Sequence, residues 1–352
     1  MEPMSIREIE KAVRGVWWNP REGAEDVSSV TTDSRNVPAG SLFIPIVGEK
    51  FDGHRFIGAA LDQGAAGVLC AKLPEDLRHD KFYIKVADTR LALKDLARHY
   101  REKFTIPVVQ ITGSVGKTTT KDMIAAVLAQ KYRVLKTAEN FNNDIGTPLT
   151  LLGLDHTHEA AVIETGMNHF GEIRYLGEMV QPDIAVISNI GDAHIEFLGS
   201  REGILKAKAE ILENLRPGGT VILNGDDALL NTLTPPFETL RCGQGENCAY
   251  RVGEIADHGV DGITCRLTTP QGEYRLTIPA PGEHMVYSAS MAAAIGEKLG
   301  LTAAEIARGV ACYTPTGSRM RVLRLPEERT VLDDCYNANP QSVTAALEIL
   351  AK

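Results

Sequence analysis

The stretch "QITGSVGKTTTKDM" (residues 110–123) sets a lysine and a threonine directly behind two glycines. It follows the apolar run Ile106-Pro107-Val108-Val109, which reads as a buried strand, and residues 118–130 read as a helix. Gly113 and Gly116 allow a tight turn between the two. The N–H groups of such a turn, with the positive end of the helix, make an anion cradle. Lys117 adds a point charge for the outer phosphates of a nucleotide, and Thr118 a hydroxyl suited to Mg²⁺. Ile111 stands where the longer phosphate-loop consensus has glycine, so this is the shorter G-x-x-G-K-T form. An ordinary strand-turn-helix is the bland alternative; the strand before and the helix behind favour nucleotide binding.

Further chemistry collects at the ends of later apolar runs. Ala160-Ala161-Val162-Ile163 leads into Glu164, a carboxylate of the kind a hard cation beside phosphates needs. Taken alone, Glu164 could equally be a surface residue after a strand. Val186-Ile187-Ser188-Asn189 leads into "IGDAHIEFLGS" and sets His194 on the same rim. "REGILKAKAEILENL" is an amphipathic helix with a stripe of Ile204, Leu205, Ile211, Leu212 and Leu215. Lys206 and Lys208 differ in direction by about 200°, so only one of them faces what the other turns away from. The pattern does not choose between them.

Positioning these residues falls to an α/β architecture. A chain of 352 residues calls for two or three domains, and 43% hydrophobic with 24% charged residues is ordinary for a protein with a real core. The net charge of −9 argues against a nucleic-acid surface. Six scattered cysteines without a C-x-x-C pair suit a reducing compartment, and neither a signal-peptide core nor a membrane span is present. A cytoplasmic protein, monomeric, is expected. Residues 1–104 hold short strands and glycine-rich turns, the texture of a small mixed α/β domain. Residues 105–317 alternate strand and helix, which predicts a mainly parallel, doubly wound sheet with its ligand at the carboxyl ends of the strands. Residues 318–352, with "TVLDDCYNANPQSVTAALEILAK", read as strand, loop and helix. One such unit cannot bury its own apolar face, so it reads as the start of a truncated third, Rossmann-like domain.

Together "TGSVGKTTTKDM", "TAENFNNDIGTPLTLL", "ETGMNHFGEI", "SNIGDAHIEFLGSREGILKAKAEIL", "NGDD" and "DDCYNANPQS" resemble the Mur ligase family. "NFNND" and "YNANP" resemble most the branch that joins D-alanyl-D-alanine to UDP-N-acetylmuramoyl tripeptide. The likeness runs from about residue 28 to the end. It implies an ATP-dependent amide ligase working through an acyl phosphate. It implies further that Gly113, Ser114, Val115, Gly116, Lys117, Thr118 and Thr119 cradle ATP, with Thr118 and Glu164 on one Mg²⁺. His194 matches a ligand of a second Mg²⁺, and Lys208 a lysine carried as a carbamate that supports that metal. Ser34 and Arg35 match the uridine-diphosphate contacts, Asn140 and Asn143 a substrate-binding stretch, and Arg319 and Asp334 positions near the ribose and phosphates. Ser288 stands where the adenine-contact stretch usually has asparagine, and a hydroxyl cannot offer a base a paired donor and acceptor. In this family the third domain closes over ATP, so a chain without most of it is expected to ligate poorly. A sibling ligase adding the third peptide residue, a folylpolyglutamate-type ligase and a regulatory phosphate-loop NTPase are the alternatives.

Overall fold

Short strands in the first hundred residues line up as a five-stranded sheet. They are β1 (Val16–Trp18), β2 (Val30–Thr31), β3 (Leu42–Phe43), β4 (Gly67–Cys70) and β5 (Phe82–Lys85), in the order β1-β5-β4-β3-β2. Only β1 runs antiparallel to its neighbour. The computed structural model describes residues 1–18, 26–326, 329–338 and 340–351; Asn339 of "YNANP" lies outside the described residues. Its contacts divide the chain into two units, 1–105 with 144–157, and 106–143 with 158–352.

In the first unit Phe43, Ile57, Leu61, Val68 and Tyr83 form a buried cluster. The helix Thr89–Arg101 begins at Asp88, whose carboxylate accepts from the N–H groups of Arg90 and Leu91, and it buries Leu93, Leu96 and Tyr100. The Tyr100 hydroxyl donates to the Leu154 carbonyl at 2.6 Å, and the Arg90 guanidinium pairs with Asp144. These bonds explain why 144–157, with its helix Gly146–Leu151, groups with the first unit although the strand–helix rhythm assigns it to the second.

The second unit is built on a nine-stranded sheet. Its strands are β6 (Val108–Thr112), β7 (Val134–Lys136), β8 (Ala160–Glu164), β9 (Ile184–Ile187), β10 (Thr220–Asn224), β11 (Glu238–Gly243), β12 (Tyr250–Asp257), β13 (Ile263–Thr269) and β14 (Gly272–Ile278). The order is β14-β13-β12-β11-β10-β9-β6-β8-β7. All neighbours are parallel except β12–β13 and β13–β14, an antiparallel extension that the alternating rhythm did not foretell. The residues of β6 and β8 are buried throughout, as strands covered by helices on both faces must be. The helices Lys117–Leu128 and Met285–Lys298 contribute Met123, Ile124, Val127, Ala289, Ala292 and Ile295 to the largest core cluster. Because β8 and β9 flank β6 on opposite sides, the strand order reverses at β6, and in open α/β sheets that is where ligands bind.

The last region holds one strand more than expected: β15 (Arg321–Arg324) pairs antiparallel with β16 (Thr330–Asp333), and the helix Pro340–Leu350 follows. Among the described residues no helix is long and apolar enough to cross a membrane.

Candidate active site

The ladder between β6 and β9 runs one step past the strand, with the Ser188 N–H donating to the Thr112 carbonyl at 3.0 Å. The next residue is Gly113, and a Cβ there would lie 2.0 Å from Ser188 Oγ. Gly113 is therefore required for close approach, while Gly116, at φ +75°, takes the left-handed turn that starts the helix Lys117–Leu128. Among the described residues the backbone N–H groups of 116–119 have no partner, the state in which a helix start can receive an anion. Gly113→Ala is expected to cost about 1–3 kcal/mol of stability by overpacking and to weaken nucleotide binding. Adding Ser188→Ala removes the clashing oxygen and should return part of both losses; thermal unfolding and ATP titration check this.

The half-buried Lys117 folds back on its own loop, its Nζ donating to the carbonyls of Gly113 at 3.0 Å and Ser114 at 3.5 Å. Burial pushes its pKa down and the nearby charge of Arg319 pushes the same way, while Glu164 opposes both. Beside it Glu164 is 1% exposed, with Oε2 accepting from Thr118 Oγ1 and Oε1 from Asn142 Nδ2, each at 2.8 Å. Its own N–H is held by Thr137 Oγ1 at 2.9 Å. A buried carboxylate flanked by a hydroxyl and an amide is the oxygen-rich surrounding that Mg²⁺ takes. Among the described residues no three His, Cys, Asp or Glu side chains cluster as a metal cage. Mg²⁺ is commonly held by one or two carboxylates plus substrate phosphates and does not require such a cage.

The helix Arg201–Ala209 is capped by Ser200 Oγ, which accepts from the Gly203 N–H at 3.1 Å. It turns Lys208 inward, 2% exposed, with Nζ donating to the Gly113 carbonyl at 2.9 Å. Lys206 is exposed, its Nζ 5.9 Å from the centre of the Phe170 ring. Two lysine amines thus converge on one carbonyl, and Lys208 makes no ion pair among the described residues. Burial holds its pKa well below the lysine range, and Lys117 lowers it further. The half-buried His194 has φ +68° at the start of the short helix Ile195–Leu198. Burial, then Lys117 and Lys208, lower its pKa and favour the neutral ring that can ligate a metal.

Other expected residues are placed less directly. Ser288 is buried and its hydroxyl lies 2.9 Å from Thr120 Oγ1, which itself donates to the Gly116 carbonyl at 2.9 Å. Its hydroxyl is thus occupied in joining two helices behind the loop. Asn140 and Asn143 are exposed, and it is Asn142 between them, singled out by nothing in a stretch with three asparagines, that reaches Glu164. The Arg319 guanidinium stacks 3.7 Å from the centre of the Tyr336 ring, and Asp334 Oδ1 accepts from the Met320 N–H at 2.9 Å. In the first unit Arg35 gives its N–H, Nε and Nη2 to Asp33, and the bonds from Arg35 hold the Asp33 pKa down at about 2. Gln63 Nε2 donates to the Ser34 carbonyl at 2.6 Å.

The family models for the Mur ligase middle domain and for the Mur ligase family catalytic domain match residues 111–296 and 26–101. The UDP-N-acetylmuramoyl-tripeptide–D-alanyl-D-alanine ligase of Bacillus subtilis is 38% identical over 345 residues, 98% of this chain and 75% of that protein. The crystal structure of MurF from Acinetobacter baumannii superposes with a TM-score of 0.93 at 34% identity, covering 100% of this chain and 77% of that one. The MurF ligase of Thermotoga maritima in complex with ADP does so with a TM-score of 0.82 at 28% identity, covering 92% and 74%. These likenesses settle the family: this chain belongs to the Mur ligases, a family of ATP-dependent ligases.

Proposed function

We propose that this chain joins D-alanyl-D-alanine to UDP-N-acetylmuramoyl tripeptide at the expense of ATP, in the cytoplasmic synthesis of peptidoglycan precursors. The observation that carries this reading is the convergence of Lys117 and Lys208 on the Gly113 carbonyl, beside a buried Glu164 bonded to Thr118. Phosphoryl transfer to a carboxylate needs positioning and charge neutralisation more than covalent help. The open N–H groups of 116–119 receive the phosphates and Lys117 the charge on the outer ones. Thr118 and Glu164 would hold one Mg²⁺, and His194 with a carbamate on Lys208 a second. Metal held by these residues would supply positive charge to offset that on the transferring phosphoryl group and the acyl phosphate. The tripeptide carboxylate attacks the γ-phosphorus and releases ADP; the amine of D-alanyl-D-alanine then attacks the acyl carbon and releases phosphate. Arg319 and Asp334 are assigned to the nucleotide ribose and phosphates, Ser34 and Arg35 to the uridine diphosphate, and Asn140 and Asn143 to the acceptor substrate. Ser288 is assigned a bracing part through Thr120.

Calorimetric titration with UDP-N-acetylmuramoyl tripeptide against the dipeptide tests the assignment. The tripeptide is expected to bind roughly tenfold or more tightly, because a site built for the third residue leaves polar groups unpaired without it. Tighter binding of the dipeptide would move the chain to a sibling ligase. Nucleotide binding with no response to either would favour a regulatory NTPase.

A further inference from the structure

Seven residues, 113–119, form the turn and helix start, but their N–H groups are not equally available. Asn189 follows β9, and because β9 lies parallel to β6 its side chain arrives beside the turn. Its Oδ1 accepts from the N–H groups of Ser114 at 3.1 Å and Val115 at 2.9 Å, and its backbone carbonyl also accepts from Ser114 at 3.1 Å. Its Nδ2 donates to the Val115 carbonyl at 2.8 Å, where Ser188 Oγ joins it at 3.2 Å. One amide thus offers an acceptor to two N–H groups and, from a separate atom, a donor to one carbonyl, a set that a carboxylate, which only accepts, cannot supply. The N–H groups of Ser114 and Val115 are satisfied from within, while those of Gly113 and of 116–119 have no partner among the described residues.

We propose that Asn189 is a positioning residue for the phosphoryl-transfer step: it occupies the N–H groups of Ser114 and Val115 and thereby sets the register of the triphosphate on residues 116–119. The proposal rests on the reading that this turn binds ATP. It narrows the cradle that the family resemblance extends over all of 113–119.

Amide hydrogen exchange on the unaltered protein tests it without any substitution. The amides of 114 and 115 are expected to exchange slowly with and without ATP, whereas those of 116–119 slow only when ATP is added. Fast exchange at 114 and 115 that slows on ATP binding would overturn the proposal. Titrations with ATP, tripolyphosphate and adenosine add a second arm. Asn189→Ala should weaken ATP and tripolyphosphate alike, by about tenfold, and leave adenosine unchanged. Asn189→Asp keeps the acceptors for both N–H groups but turns an oxygen on Val115 and sets a charge beside the phosphates, so its loss should be larger. A part confined to holding the turn together would give the reverse order, with aspartate milder than alanine, and would overturn the proposal. Lys117→Ala, run alongside, separates the two levels. If it leaves ATP binding unchanged, the nucleotide reading falls; if it weakens ATP while both Asn189 variants bind normally, only the positioning proposal falls.

Discussion

Replacing Lys117 by alanine is expected to weaken ATP binding at least tenfold while affinity for the UDP-linked substrate stays within about twofold. A hydrogen bond to a charged group contributes roughly 1.5–3 kcal/mol, or about 10–150-fold in affinity. In the free protein the amine donates, among the described residues, to the carbonyls of Gly113 and Ser114, and burial and then Arg319 lower its pKa. Bound phosphates supply the negative charge that raises it again. The sign of the pH effect follows. A pKa higher in the bound state than in the free state favours binding at low pH, and the gain is lost as pH rises through the free protein's lowered value toward the ordinary lysine range near 10.4. Above the titration of the nucleotide's own phosphates, ATP affinity should therefore fall with pH in the unaltered protein and stay flat in Lys117→Ala. Unchanged affinity in the variant, or parallel pH slopes, would remove Lys117 from the phosphates. Binding measured across the alkaline range, with the UDP-linked substrate as control, decides it.

How far such a site can be read from sequence depends on which physical signal carries each residue. The turn after β6 was legible because a β-branched run, two glycines and a helix form a local pattern. The placing of Glu164 and His194 at or beyond the ends of parallel strands needed only the further step that such strands put their carboxyl ends on one edge. Residues chosen by three-dimensional direction were not legible in that way. Asn142 shares its stretch with two other asparagines, and only the fold shows which one bends toward Glu164. Asn189 was hidden for a related reason, because its function is to bond backbone groups 74 or more residues earlier. Residues 144–157 misled the domain assignment because an apolar helix after a strand looks like one more repeat. The bonds that take it elsewhere, from Tyr100 and Arg90, depend on a different part of the chain. Ser288 shows the opposite case, a recognised position whose hydroxyl is occupied by a neighbouring helix.

The burial of Lys208 is costly to the fold, and the proposed carbamate gives that cost a chemical purpose. Helical geometry left it level with Lys206, yet the structure exposes Lys206 and buries Lys208 without an acidic partner among the described residues. Its pKa is driven down chiefly by burial and further by Lys117. The unfolded chain, with its lysine near 10.5, therefore binds protons that the folded chain does not. The cost is fully present at pH below the folded value and fades as pH rises to the unfolded one. Lys208→Met should raise stability at neutral pH, by roughly 1–2 kcal/mol, and flatten its alkaline rise. The Gly113 carbonyl would keep Lys117 as its donor. The same variant should lose ligation on the order of 100-fold or more, the scale expected for a group that supports a metal. A neutral amine attacks CO₂ and gives up one proton, leaving a carbamate whose two oxygens suit Mg²⁺. Low proton affinity, a burden on the fold, is what makes that reaction possible. With ¹³C-bicarbonate the unaltered protein should show a carbamate signal that Lys208→Met lacks and Lys206→Ala keeps. Added formate or acetate should restore part of the ligation in Lys208→Ala, where there is room for it, and none in Lys208→Met. Equal activity of Lys206→Ala and Lys208→Ala, with no carbamate signal in either protein or variant, would leave Lys208 as a buried amine without a function.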